Sequence, residues 1–183
     1  RNLDTRIISG FDFSARYFVN SDYGNFNFIV NISKLEKFRQ KAGNDFIELI
    51  DAQEKGIIPE ELAITGFSDL IEKDGSPKIQ ANFKFLWNRG SWGLGLFGRH
   101  IGEFYETRNK LSDGRLWKVK AYNTINTFID YNFKISGSQS NLRFGINNIA
   151  DERAPLASDI FGYYIDKHDN LGRSYYINFI HRY

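Results

Sequence analysis

Between residues 117 and 135 the side chains alternate with a period of two. Trp117, Val119, Ala121, Ile125, Ile129, Tyr131, Phe133 and Ile135 fall on one side, and Lys118, Lys120, Thr124, Asn126, Asp130, Asn132 and Lys134 on the other. This is the pattern of an extended strand, whose successive Cβ atoms point to opposite faces of a sheet. It runs well past the roughly five or six residues of an ordinary globular strand. The same reading sets Ile79, Ala81, Phe83, Phe85 and Trp87 against Lys78, Gln80, Asn82 and Lys84. It sets Phe26, Phe28, Val30 and Ile32 against Asn25, Asn27 and Asn31, and Leu142, Phe144 and Ile146 against Asn141, Arg143 and Asn147. In the last segment Tyr175, Ile177, Phe179 and Tyr183 share a phase opposite Ser174, Asn178 and Arg182, with His181 interrupting the apolar side. Two further strands, near 3–19 and 91–106, alternate less regularly.

Composition agrees with an all-β chain: 16% aromatic residues, with 17 Phe and 10 Tyr, beside only 3 Pro and 16 Gly. There is no Cys, which excludes disulfides, thiolate metal sites and a cysteine nucleophile. The net charge of +2 is small and the basic residues are scattered, which argues against a nucleic-acid partner. No apolar stretch approaches the roughly 20 residues of a membrane-spanning helix, but a barrel strand needs only about 9 to 11 alternating residues. The chain begins at Arg1, with neither an initiator Met nor an export signal, which reads as a fragment or a processed chain.

The connections alternate in length. Those near 20–24, 89–91 and 136–140 are short, and those near 39–75, 107–116 and 151–171 are long. Outer-membrane barrels have short periplasmic turns and long extracellular loops. The expectation is therefore an antiparallel up-and-down transmembrane β-barrel segment of about seven strands, spanning residues 1–183 as one unit. Seven strands joined by hairpins would leave an open sheet with two edges. In the first long loop, Phe46, Ile47, Leu49 and Ile50 are spaced for a helix, with Asn44 as N-cap and Gly56 as terminator, and Pro59, Glu60 and Glu61 would start a second short turn.

Several segments resemble the TonB-dependent outer-membrane receptors. Asn147, Asn148, Asp151 and Pro155 in NLRFGINNIADERAPLAS resemble that family's penultimate-strand motif. Asp169, Gly172 and Arg173 in HDNLGRSYYINFIHRY resemble its D-x-x-G-R lead into the last strand, which ends on an aromatic, here Tyr183. Upstream, SPKIQANFKFLWNRGSWGLGLFGRHIGEFYET and ISGFDFSARYFV resemble earlier barrel segments. The resemblance implies the C-terminal part of a barrel of about 22 strands, without its plug. It further implies a Gram-negative outer membrane, TonB-dependent uptake of a scarce nutrient of siderophore, cobalamin or oligosaccharide type, and no cofactor or metal. Its partners would be outer-membrane lipid, a plug domain and further strands, an inner-membrane energy-coupling protein and the barrel assembly machinery. Tyr175, Ile177, Phe179 and Tyr183 would form the C-terminal insertion signal. His181 departs from that signal.

Catalysis finds no support. His100, His168 and His181 lie on separate segments with no nucleophile turn. The carboxylate pairs Asp45 with Glu48, Glu60 with Glu61 and Asp151 with Glu152 read as loop charge and helix-start acids. Gly93, Gly95 and Gly98 sit in a strand pattern, so they read as packing or curvature and not as a dinucleotide fingerprint. Trp87, Trp92, Tyr131, Phe133 and Tyr183 would form part of an interfacial aromatic girdle. Phe161, Tyr163 and Tyr164 in the last long loop are candidate ligand contacts. The inward phase carries Arg16, Lys78, Lys84, Arg99, Lys118, Lys120, Lys134 and Arg143 against Asp12 and Asp130, and Lys84, Arg99, Lys118 and Arg143 form a candidate basic lumen face. The alternative to transport is a β-barrel or β-sheet module with a structural or surface-binding role.

Overall fold

A computed structural model describes residues 5–59, 62 and 64–183. The expected turn at Glu60 and Glu61, the first residues of the strand expected from residue 3, and the side chain of Asp45 lie outside the described residues. The elements in chain order are β1 (Arg6–Ser21), β2 (Gly24–Gln40), α1 (Asn44–Glu54), β3 (Ser68–Asp69), β4 (Ile79–Arg89), β5 (Trp92–Ile101), β6 (Phe104–Lys110), β7 (Leu116–Val119), β8 (Tyr122–Ile135), β9 (Ser138–Asn147) and β10 (Ser174–His181). The main sheet is antiparallel, in the order β1-β2-β4-β5-β8-β9-β10, with the short β3 added beside the end of β2. It does not close: among the described residues β1 pairs only with β2, and β10 only with β9.

The register carries the sequence alternation across the whole sheet. Val19, Phe26, Trp87, Leu94, Ile129, Phe144 and Ile177 pair in succession into one apolar row on one face. The next row, Asn20, Asn25, Asn88, Gly93, Asp130, Arg143 and Asn178, lies on the opposite face. A one-residue slip in any strand would mix the two sets, so the pattern enforces the register. His181, which breaks the apolar phase, meets a polar neighbour: its Nδ1 lies 2.9 Å from the Ser140 hydroxyl of β9.

The short turns at 22–23, 90–91 and 136–137 lie at one end of the sheet and the long connections at the other. Ser136 and Gly137 both have positive φ, the requirement of a two-residue turn whose twist matches its strands. Two of the expected long strands are broken. The chain leaves the sheet at Gly102, whose N–H donates to the Ile79 carbonyl (2.8 Å) and where a Cβ would lie only 2.9 Å from that oxygen. It rejoins at Tyr122, and β6 and β7 pair with each other as a separate ribbon. The alternation of 117–135 therefore belongs to two strands, not one. The helix starts one residue differently from the expectation: Gly43 is the N-cap and makes no side-chain capping bond. Its end is as read, since Gly56 at φ 70 closes a Schellman pair, Ile57 N–H to Ala52 (2.9 Å) and Gly56 N–H to Gln53 (2.9 Å).

Gly93, Gly95 and Gly145 make room on the polar face. A Cβ at Gly95 would lie 2.3 Å from the Phe128 ring, at Gly145 2.2 Å from the Tyr176 ring, and at Gly93 2.0 Å from an Asp130 carboxylate oxygen. Phe128 and Tyr176, in the polar phase, thus lie flat over glycine floors. The Arg143 guanidinium carbon stands 3.7 Å from the Phe128 ring centre and its Nη2 lies 2.6 Å from Asp130. Gly145→Ala is expected to cost about 1–3 kcal/mol by overpacking against Tyr176. The loss should shrink when Tyr176→Ala is combined with it, as read by urea unfolding followed through tryptophan fluorescence in detergent micelles. Additive losses would show that the ring does not occupy that floor.

Candidate functional site

The first and last long connections meet on the β6–β7 ribbon, which is itself the middle one. The Asp74 carboxylate accepts the Thr107 N–H (2.9 Å), and Tyr105 exchanges backbone bonds with Glu72 and Asp74. From the last loop, the Leu156 carbonyl accepts the Trp117 indole N–H (3.0 Å), and the buried Glu106 carboxylate accepts the Ser158 N–H (2.8 Å). Each loop is held by polar bonds to backbone, so the end of the sheet carries a built cap.

The residues that suggested the family resemblance hold the base of that cap. Asn148, at φ 51, accepts the Glu152 N–H (3.0 Å) and donates to the Glu152 carbonyl (2.8 Å). Its own N–H goes to Asn126 Oδ1 (2.7 Å). Asp151 Oδ1 accepts the Arg173 N–H (2.8 Å), and Asp169 Oδ1 accepts the Leu171 N–H (2.9 Å). Gly172 is required twice over, by φ 74 and because a Cβ would lie 2.6 Å from Asp151 Oδ1. These residues clasp 148–153 to 169–173 across the ends of β9 and β10. Pro155 lies in the same loop.

The buried hydrophobic side chains among the described residues are Ile101, Phe104, Val119 and Tyr122, all at the junction of sheet and cap. His168 completes this cluster. It is 4% exposed, with its ring 6.1 Å from Phe104 and 5.2 Å from Tyr122, and neither ring nitrogen has a hydrogen-bond partner. The Tyr122 hydroxyl donates to the Asp169 carbonyl (2.6 Å), beside it in the chain.

The candidate ligand aromatics separate here. Phe161 is exposed, Tyr163 is half-buried, and Tyr164 packs edge-on against Phe104 (5.0 Å) and beside Gly75. Burial, reinforced by Glu106, Asp74 and Asp159, pushes the Tyr164 hydroxyl up to about 12. Tyr164 therefore stands in the cap core, and Phe161 on its surface with Ile160.

The four basic candidates also separate. Arg143 pairs with Asp130 on the polar face. Lys118 lies on β7, outside the main sheet, and pairs with Glu103 (2.7 Å). Lys84 stands 5.7 Å from the Phe97 ring centre, and Arg99 has no carboxylate partner among the described residues. The charge of this face is thus partly neutralised by acids that periodicity did not assign to these partners. Tyr175, Ile177 and Phe179 are exposed on the apolar face of β10, and Tyr183 lies beyond the strand with its ring 4.8 Å from His181. His100 Nδ1 lies 2.7 Å from Asn123 Oδ1, so the three histidines occupy separate surroundings.

No family model matches the chain, and no curated protein matches it. Phe128, Tyr176 and His168 escaped the alternation argument, although Gly95 and Gly145 in neighbouring strands were the available signal for the two rings.

Burial holds His168 down to about 4, with Arg99 and Lys167 adding to the effect. The unfolded chain then binds a proton that the folded one refuses, so the cap loses stability as pH falls from about 6.5 toward 4 and keeps it above that window. Trp117, bonded to the loop, should report the release as a fluorescence change. His168→Phe, which retains the stack without titrating, is expected to weaken that acid transition. An unchanged transition would assign it to carboxylates instead.

Proposed function

We propose that this chain is part of the wall of an outer-membrane β-barrel of the TonB-dependent receptor type. The observation that carries the proposal is the shortage of buried core. The chain exposes 12965 Å² of surface, against roughly 9,100 Å² for a compact soluble protein of this mass. Its buried hydrophobic side chains sit at the cap, whereas Ile177 is 74% exposed in the continuous apolar row. An apolar face of this extent requires cover, and a hydrocarbon bilayer supplies it without demanding backbone bonds, which the sheet satisfies internally between its two edge strands.

Three further features support the reading. Short turns gather at one end of the sheet and capped long loops at the other, as in periplasmic and extracellular ends. Among the described residues the outer edges of β1 and β10 have no strand partner, and further strands of a larger barrel would satisfy them. The opposite face is rich in Asn and charge, suited to a water-filled or plug-filled lumen. Uptake of a scarce nutrient would then be the work of the whole receptor, with its plug and its energy-coupling partner, and this wall would supply the scaffold and part of the outer cap.

Spin labels at Ile129, Phe144 and Ile177 in bilayer-reconstituted protein are expected to be accessible to oxygen and shielded from a water-soluble relaxation agent. Labels at Asn126, Asn147 and Asn178 should show the reverse. Equal water exposure of the two sets would remove the membrane reading and favour a β-sheet module covered by another protein.

A further inference from the structure

On the polar face, at the base of the cap, lies a cavity of about 290 Å³ walled by Arg99, Tyr122, Thr124, Asn126, Ser174 and the Asp169–Gly172 turn. Its polar groups are held in defined roles. The Asn126 Oδ1 is committed to the Asn148 N–H, which leaves its NH2 group as a donor. The Ser174 hydroxyl accepts from Asn147 Nδ2 (3.2 Å), which leaves its proton to donate. The Tyr122 hydroxyl is spent on the Asp169 carbonyl.

A hydrogen-bonded ladder leads to the same place. The Ser14 hydroxyl donates to Asn31 (2.8 Å), Asn31 Nδ2 donates to Asn82 Oδ1 (2.8 Å), and the residue paired with Asn82 on β5 is Arg99. The Asn82 Oδ1 is thereby occupied on the strand next to Arg99. On the same face Arg143 is engaged with Asp130 and Lys84 stands over the Phe97 ring, while Arg16 on β1 and Lys134 near the short-turn end of β8 lie outside this cavity. Arg99 is the cation in this cavity's lining, and no carboxylate lies within ion-pair distance of it among the described residues.

We propose that this cavity binds a carboxylate group, held by the Arg99 guanidinium with the Asn126 amide and the Ser174 hydroxyl as further donors. The planar fork of arginine matches the two oxygens of a carboxylate. The lining holds one cation, Arg99, and one acidic residue, Asp169, so a singly charged anion fits it better than a dianion such as phosphate. The carboxylate could come from a small solute at the polar face or from an acidic side chain of a polypeptide lying against it. The proposal uses the polar face and not the membrane reading, so each can fail alone.

The test is titration of the full chain in detergent micelles, with the Arg99 Nε–H resonance as readout and amide dispersion confirming the fold. Acetate, inorganic phosphate and the capped tripeptide Gly-Glu-Gly are the probes. Acetate and the tripeptide are expected to give saturable shifts, with phosphate at least tenfold weaker. Tripeptide affinity at least tenfold above that of acetate would identify a polypeptide source, and similar affinities a small solute. Arg99→Gln, followed through the Asn126 side-chain NH2 resonance, should weaken binding at least tenfold, while Lys84→Gln should leave it unchanged. The absence of saturation with both carboxylates, phosphate binding as tight as acetate, or undiminished binding in Arg99→Gln would overturn the proposal.

Discussion

Everything in this molecule depends on the alternation that backbone hydrogen bonding forces on a strand. Once β1, β2, β4, β5, β8, β9 and β10 are laddered together, each residue's face is decided by its parity, and the aligned registers turn parity into rows. Val19 through Ile177 form an apolar row, and Asn20 through Asn178 form the row beside it on the other face. A sheet of this kind satisfies its backbone internally between its edge strands and leaves its apolar face to be satisfied by the surroundings. The fold therefore implies an environment as well as a shape.

The cap solves a different problem. Long connections at one end of a sheet have no ladder of their own, and their order must come from local polar chemistry. Asn148, Asp151, Asp169 and Gly172 provide it at the root of the last loop, each by accepting or accommodating backbone in a tight turn. The β6–β7 ribbon then serves as the common support, because Thr107 bonds Asp74 of the first long loop while Glu106 and Trp117 bond Ser158 and Leu156 of the last. His168 is sealed between Phe104 and Tyr122 by this arrangement, which makes the root of the cap dependent on a neutral imidazole.

On the polar face, packing has redistributed charge. Glycine floors let Phe128 and Tyr176 lie against the wall, and the Phe128 ring supports the Arg143 side chain that closes on Asp130. Such pairing removes Arg143 from any diffuse positive field and leaves Arg16, Lys84, Arg99 and Lys134 as the cations of that phase without a carboxylate partner among the described residues.

The strands, their antiparallel hairpin order, the Gly56 helix stop and the two-sided character of the sheet were determined by sequence alone, because period-two patterning and turn chemistry are local and each residue's parity is visible in the string. Other features were decided only by tertiary structure. The alternation of 117–135 runs through the break between Val119 and Tyr122, since an out-of-sheet ribbon keeps the same period as the sheet it leaves. Phe161 and Tyr164 are alike in sequence, and only the position of Phe104 makes one of them core. Arg143 and Arg99 share a phase, yet Asp130 stands opposite the first and a cavity opposite the second. These outcomes depend on which residue of a neighbouring strand or loop arrives at a given place, a long-range fact that the periodicity of a single segment does not contain.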